Sequence, residues 1–120
     1  MIAVVAETLV PSEAVLVERA QALVPVLRAR AAACQAARMV SAETIEDFRK
    51  AGFFRILQSK RYGGYEHAPT TLYKVLIALA SGCPSSSWVL MVIAVHNLEI
   101  EYMDPRCGQD IWGRNTDVRL

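Results

Sequence analysis

The feature that most constrains the fold of this 120-residue chain is the stretch of residues 81–101, SGCPSSSWVLMVIAVHNLEIE. A turn of small residues leads directly into an apolar run, which predicts a central helix against which the rest of the chain packs. Trp88, Val92 and His96 recur there every four residues. At this spacing they drift only about 80° around a helix axis, so an aromatic ring and an imidazole are expected on one face.

Composition places the chain among single globular domains. It is 53% hydrophobic and 21% charged, which is enough for a buried core. Thirteen Lys and Arg against twelve Asp and Glu leave a net charge of +1, so neither nucleic acid nor an anionic membrane is expected as a partner. The longest apolar run, residues 88–95, is far shorter than the ~20 residues that span a bilayer. The start of the chain also lacks the pattern of a signal peptide.

The cysteines and histidines give no metal motif. Cys34, Cys83 and Cys107 form no CxxC pair and no Cys/His spacing typical of a metal site. Reduced thiols in a cytoplasmic protein are the expected state. His96 and Glu99 are three residues apart, but metal sites in helical bundles draw ligands from several helices. We therefore expect no metal.

Periodicity and capping residues predict an all-α fold of about five helices. The first helix begins at Ser12, and Pro25 inside it is expected to kink it or to divide it in two. The second helix runs from Ser41 to a stop at Gly52. Residues 53–60, FFRILQSK, are assigned neither to a strand nor to a turn.

Three further helices follow a glycine turn in RYGGYEHAP. Pro69 is predicted to start the third helix, with Thr70 or Thr71 as its cap. The predicted caps of the fourth and fifth helices are Ser85 or Ser86, and Asp104 followed by Pro105. Apolar residues around the third helix, including Tyr73 and Ile77, predict that it is covered on several sides.

The last seven residues, RNTDVRL, alternate like the beginning of a strand. A strand does not stand alone, and a domain seldom ends on one that is unpaired. We expect a loose lead-in over residues 1–11, followed by one helical domain over residues 12–120 that ends on this strand. The strand would then be the first of a β domain that this sequence does not contain.

Each candidate site residue also has a purely structural interpretation. A single histidine on an apolar helix, such as His96, is more often a core residue than a catalyst, and Trp88 alone is typical of core filling. His67 is expected in an exposed loop, so no Ser/His/Asp arrangement can be assembled. The residues alone predict a helical domain with an aromatic and imidazole stripe, and no particular reaction.

Three segments, in this order, carry a family resemblance: AGFFRILQSKRYGGYE, LIALASGCPSSSWVLMVIAVHN and DPRCGQDIWG. They resemble the N-terminal helical domain of two-component flavin-dependent monooxygenases with the acyl-CoA dehydrogenase fold, such as the hydroxylases of p-hydroxyphenylacetate or of a secosteroid phenol. The GFF and YGG elements are shared across that superfamily. The small-residue turn before Trp88, followed by His96, is closer to the hydroxylase branch.

The resemblance implies the oxygenase component of an aromatic hydroxylase, which uses O2 and a flavin hydroperoxide to hydroxylate a phenol. Reduced FMN or FAD would come from a separate flavin reductase. Trp88 matches a residue near the flavin, and His96 matches a histidine that contacts the phenolic hydroxyl, where it can act as general base. Val92 as a pocket wall and Ser87 as a weaker flavin neighbour are inferred from their positions. The full-length protein is expected to be a cytoplasmic homotetramer, and these 120 residues alone to be inactive.

Two other interpretations stay open. One is another enzyme of the same fold, such as an acyl-CoA dehydrogenase or a relative that oxidises nitrogen or sulfur, whose catalytic carboxylate would lie beyond Leu120. The other is an inactive helical fragment that associates through an uncovered apolar face. A mass that depends on concentration would favour the fragment.

Overall fold

The computed structural model describes residues 10–120, and all regular structure in this part of the chain is helical. The α-helices are α1 (Glu13–Ala37), α2 (Ala42–Lys50), α3 (Pro69–Ala80), α4 (Pro84–Ile100) and α5 (Pro105–Trp112). Two 3₁₀ turns, Phe53–Arg55 and Lys60–Tyr62, connect α2 to α3. The predicted all-α fold with about five helices is confirmed. The predicted lead-in lies outside the described residues except for its last two positions.

None of the helices described is both long and apolar enough to cross a bilayer.

Three helices begin at the predicted caps. The hydroxyls of Ser12 and Ser41 and the carboxylate of Asp104 each accept a hydrogen bond from a backbone N–H two or three residues later. Each bond satisfies a donor that the first helical turn leaves free. Gly52 lies two residues after the end of α2 and has a φ of +83°, a left-handed conformation that glycine adopts without steric cost.

The caps predicted for α3 and α4 are wrong. The α3 helix begins at Pro69, as predicted, so Thr70 and Thr71 lie inside it, and α4 begins at Pro84. The fixed φ of proline suits the first helical position, where no N–H is needed. Thr71 lies inside α3, and its hydroxyl donates to the Glu13 carboxylate at 2.9 Å. Ser86 lies inside α4 and is buried.

The long helix α1 continues through Pro25, so the prediction of two shorter helices is wrong. Contacts before and after Pro25 hold α1 beside α3. The Glu13 carboxylate lies 2.9 Å from the Lys74 ammonium in the middle of α3, and Arg28 donates to the carbonyl of Ser81, just beyond the end of α3, at 3.1 Å. These contacts bind the helix on either side of the hydrogen bond that proline removes.

The core lies where the four helices α1–α4 and the first 3₁₀ turn meet. Its fully buried apolar residues include Leu16, Leu27, Phe48, Phe53, Ile56, Leu72, Val75, Leu79 and Leu90. Each such side chain stabilises the fold by about 1.5–3 kcal/mol through removal from water. The prediction that α3 is covered on several sides is wrong, since Tyr73 is 49% and Ile77 is 73% exposed.

The segment left unassigned from the sequence is a buried turn that pairs with the glycine loop. The backbone N–H of His67 donates to the Ile56 carbonyl at 2.8 Å. Gly64 lies so close to this turn that a Cβ there would be 1.9 Å from the Gln58 carbonyl oxygen. His67 is half-buried and not exposed as predicted, because its Nε2 lies 2.8 Å from the Pro11 carbonyl oxygen.

Residues 115–120 form no strand beside the rest of the described chain. The indole Nε1 of buried Trp112 donates to the Val118 carbonyl at 3.0 Å, and the Gln58 amide donates to the Thr116 carbonyl at 2.9 Å. Side chains therefore hold the tail against the domain. A strand at this position needs a partner strand from elsewhere.

Candidate functional site

Helix α4 presents the predicted stripe to solvent. Trp88 is 64% exposed, Val92 is 40% exposed, and the His96 side chain is 44% exposed. The interpretation of Trp88 and His96 as core residues is therefore wrong. Leaving large apolar groups in water forgoes the stabilisation that burial provides, and exposed apolar faces typically mark binding surfaces. We define Trp88, Val92 and His96 as the α4 stripe.

Two hydrogen bonds on the opposite face set the rotation of α4. The Ser87 hydroxyl donates to the Leu76 carbonyl at 2.8 Å near the start of the helix, and the Asn97 amide donates to the Phe54 carbonyl at 2.8 Å near its end. Leu90 lies between them and is fully buried. Because these contacts all lie on one side, the α4 stripe points away from the core.

Ser87 does not belong to the α4 stripe. It is 6% exposed, and its position about 100° around the helix from Trp88 turns it toward α3. Its hydroxyl is already bound to the Leu76 carbonyl. The structure therefore separates Ser87 from the face where a cofactor would contact Trp88, and we leave it out of the site.

Trp88 also lines an open groove of about 870 Å³ between the end of α1 and the start of α4. Most of the lining is apolar: Ala31, Cys34, Met39, Val40, Cys83, Pro84, Trp88 and Val89. The polar residues at its rim are Gln35, Arg38 and Ser85. A groove of this size with a mostly apolar wall and a few polar groups is typical of a site for a small organic molecule.

His96 has one polar neighbour within the described chain. Its Nδ1 lies 3.2 Å from the Oε2 atom of Glu99, one helical turn further on. Residues three apart share a helix face, which brings the two side chains together. The imidazole and the carboxylate are both partly exposed, at 44% and 56%, so both can be reached from the solvent side.

The residues described bring together no three His, Cys, Asp or Glu side chains that could hold a metal ion. Cys34, Cys83 and Cys107 are free thiols, and the first two are buried in the wall of the groove. The arrangement offers an apolar surface with one imidazole, which suits an aromatic ligand.

The sequence analysis misses Asn97, which anchors α4. Asn97 is 3% exposed and lies seven residues after Leu90, on the same helix face. A polar residue on the buried face of an apolar helix is nearly always hydrogen-bonded, so this position could have been recognised as an anchor. Its partner, the Phe54 carbonyl, is 43 residues away in the chain and has no local signal.

Two curated proteins align with most of the length of this chain. The chain is 36% identical over 103 residues to the flavin-dependent monooxygenase oxygenase subunit HsaA of Rhodococcus jostii, a match that covers 86% of this chain and 27% of that protein. It is 25% identical over 103 residues to the oxygenase component of p-hydroxyphenylacetate 3-hydroxylase from Acinetobacter baumannii, which covers 86% and 24%, respectively. No protein-family model matches the chain.

The fold agrees with the sequence comparison. The crystal structure of the HsaA monooxygenase from M. tuberculosis superposes with a TM-score of 0.86 at 29% identity, covering 91% of this chain and 30% of that one. The chain spans about a quarter of the length of the curated relatives it matches.

Proposed function

Because this chain belongs to the family of flavin-dependent monooxygenase oxygenase subunits, we propose that residues 12–120 act as the N-terminal helical domain of an enzyme that hydroxylates a phenolic substrate with O2. The proposed cofactor is reduced FMN or FAD, delivered by a separate flavin reductase. The substrate class follows from the Acinetobacter relative, whose name gives the phenol p-hydroxyphenylacetate.

One observation carries this proposal. An apolar helix that is anchored on one face turns a tryptophan, a valine and a histidine outward on the other. A stable isolated domain would gain free energy by burying Trp88. The exposed stripe therefore fits a pocket wall that is completed by a bound ring and by other parts of a longer protein.

His96 is the proposed general base. A phenol becomes a stronger nucleophile at its ring carbons as the hydroxyl proton leaves, and a neutral imidazole within hydrogen-bond distance can accept that proton. Such a transfer typically contributes about 10²–10⁴-fold to a rate. The exposure of His96 and its position on the same face as Trp88 and Val92 support this role.

Trp88 and Val92 are the proposed contacts of the flavin ring. For Trp88 the proposal is supported by the apolar groove that it lines, whose volume of about 870 Å³ accommodates a planar ring system. Val92 does not line this groove and is proposed from its position one turn further along the α4 stripe. Reduced flavin, when bound, supplies the activated oxygen for hydroxylation. The two side chains would exclude water from the ring, which limits side reactions of reactive intermediates.

The remaining parts of the proposal concern the whole enzyme. We expect further domains to cover the open side of the groove, subunits to form a homotetramer, and the protein to work in the cytoplasm, where free thiols stay reduced. The 120 residues alone provide one wall of the pocket. We therefore expect weak flavin binding and no hydroxylation from this chain by itself.

The decisive experiment uses the longest reading frame that contains residues 1–120. The purified protein is mixed with reduced flavin, O2 and a series of phenols, and hydroxylated product is measured. We expect product, and a fall of about 10²–10⁴-fold in its rate for His96→Ala. His67→Gln is the matched control, because glutamine can still donate to the Pro11 carbonyl. No product from any phenol, with flavin reduction by an acyl-CoA instead, would indicate a dehydrogenase of the same fold.

A titration of the 120-residue chain tests the other alternative. Flavin binding is followed by fluorescence, and the mass of the chain is measured over a range of concentrations. We expect neither tight binding nor hydroxylation. If the reading frame stops at Leu120 and the mass rises with concentration, an inactive fragment that associates through the α4 stripe explains the exposed face better.

A further inference from the structure

The two histidines of the chain have hydrogen-bond partners on opposite ring nitrogens. The Nε2 of His67 lies 2.8 Å from the carbonyl oxygen of Pro11. The Nδ1 of His96 lies 3.2 Å from a carboxylate oxygen of Glu99. A carbonyl oxygen and an ionised carboxylate can only accept hydrogen bonds. Each contact therefore requires the proton to be on the nitrogen that faces it.

We propose that Glu99 is a positioning residue that keeps the proton of neutral His96 on Nδ1 and leaves the lone pair of Nε2 free to accept a proton from the substrate. This inference rests on the proposed function, in which His96 is the general base. A histidine side chain in water favours the opposite tautomer, with the proton on Nε2. The hydrogen bond made by one ring nitrogen sets the role of the other.

The surroundings of Glu99 support this role. Its carboxylate pairs with His96 and with no Lys or Arg among residues 10–120, whereas Glu101, two residues further on, lies 3.7 Å from the Arg61 guanidinium. A carboxylate without a competing cation keeps both oxygens available for the imidazole. Within the same part of the chain, no group lies within hydrogen-bond distance of the His96 Nε2.

The arrangement separates two tasks on one helix face. Glu99 holds the ring orientation and the tautomer from the C-terminal side, and Val92 lies one turn in the other direction, toward Trp88. In the proposed reaction, the phenolic O–H donates its proton to Nε2, and the O–H bond breaks as the N–H bond forms. The imidazolium that results is stabilised by the adjacent carboxylate.

The tautomers can be read directly by NMR of the 120-residue chain labelled with ¹⁵N-histidine. The spectra are recorded in alkaline buffer, and the ¹⁵N shifts themselves show whether each imidazole is neutral. The ¹⁵N shifts of the two ring nitrogens then distinguish the tautomers. We expect mostly Nδ1–H for His96 and mostly Nε2–H for His67, which serves as the internal reference.

Three variants complete the test. Glu99→Ala should move His96 to mostly Nε2–H, while Glu99→Gln should keep Nδ1–H because its amide oxygen still accepts a hydrogen bond. Glu101→Ala is the matched control and should change neither histidine. Mostly Nε2–H for His96 in the unmodified chain, or an unchanged tautomer in Glu99→Ala, would overturn the proposal.

This measurement involves neither flavin nor substrate, so its outcome is independent of the proposed function. In the longer enzyme, Glu99→Ala should lower the hydroxylation rate less than His96→Ala does, and Glu99→Gln should restore most of it. If His96→Ala leaves hydroxylation unchanged, the role of His96 fails even where the NMR result stands.

Discussion

Both sides of α4 are rich in apolar residues, but only one side is buried. Leu90 and Ala94 on the buried side are at most 1% exposed. Trp88 and Val92 on the other side are 64% and 40% exposed. Hydrophobicity alone therefore does not tell which face is the core. The polar anchors at either end of the buried face decide it. We therefore expect substitutions on the buried face to lower the free energy of unfolding, and substitutions on the α4 stripe to change binding and catalysis.

The largest stability effect is expected for Leu90→Ala on the buried face. Removal of a fully buried leucine side chain should lower the free energy of unfolding by about 2–5 kcal/mol, because it loses apolar burial and leaves a cavity. Urea denaturation followed by circular dichroism measures the loss. Val92→Ala, on the α4 stripe, is the control and should change stability by less than about 0.5 kcal/mol. Equal losses of unfolding free energy in the two variants would contradict the expected difference between the two faces of α4.

Asn97→Ala tests the anchor near the end of α4. The substitution leaves the Phe54 carbonyl without its hydrogen bond and should cost about 1–3 kcal/mol of unfolding free energy. Ser85→Ala, at an exposed position of the same helix, is the comparison variant and is measured by the same denaturation. A negligible loss in Asn97→Ala would mean that apolar packing alone sets the rotation of α4.

Trp88→Phe should leave stability within about 0.5 kcal/mol of the parent chain, since most of the indole is already in water. Its fluorescence gives a second readout. Trp112, the other tryptophan, is 1% exposed, so iodide should quench mainly Trp88. The variant should lose nearly all iodide-sensitive emission, whereas Trp112→Phe should keep it. Emission from Trp88 that resists iodide would show that another surface covers the α4 stripe in solution.

The smallest effect is expected at Glu13, an exposed contact away from both faces. The Lys74 ammonium, followed by the Thr71 hydroxyl, lowers the pKa of the Glu13 carboxyl below its ordinary value of 4.5. A lowered pKa in the folded state stabilises the fold above the ordinary value, and this stabilisation disappears as the pH falls through the folded pKa. Glu13→Gln should therefore be slightly less stable than the parent chain at neutral pH.

The pH dependence supplies the check on that prediction. The difference between Glu13→Gln and the parent chain should shrink in denaturation experiments as the pH is lowered below the ordinary carboxyl pKa of 4.5. Glu18→Gln, at an exposed position of α1 without an ion pair in the described part of the chain, is the control and should show no such trend. A difference that grows in acid would contradict the assigned direction of the pKa.

Local interactions explain which elements could be predicted. The caps at Ser12, Ser41 and Asp104 each bond to a backbone group within three residues, so the sequence contains both partners side by side. The caps of α3 and α4 are missed because a proline at the first helical position competes with the nearby threonines and serines as the boundary signal. The sequence likewise predicts that the residues of the α4 stripe share one helix face, because this depends only on helix periodicity.

Contacts between distant residues explain the rest. The sequence predicts an exposed loop for His67 because its partner, Pro11, is 56 residues away. It gives no sign of the Asn97 anchor because the Phe54 carbonyl is 43 residues away. The spacing of three residues predicts that His96 and Glu99 lie side by side. Whether the pair can contact a substrate depends on which face of α4 is exposed to solvent, and the spacing does not determine that face.

The sequence by itself determined that this chain is helical, that a tryptophan, a valine and a histidine share one helix face, and which family it resembles. These properties follow from backbone periodicity and from motifs within short segments. Only the tertiary structure decided that the shared face is turned outward and that Ser87 is turned inward. Because α4 is apolar on both sides, its rotation depends on the hydrogen bonds that Ser87 and Asn97 donate to carbonyls of neighbouring elements. Those carbonyls take their positions only when the chain has folded.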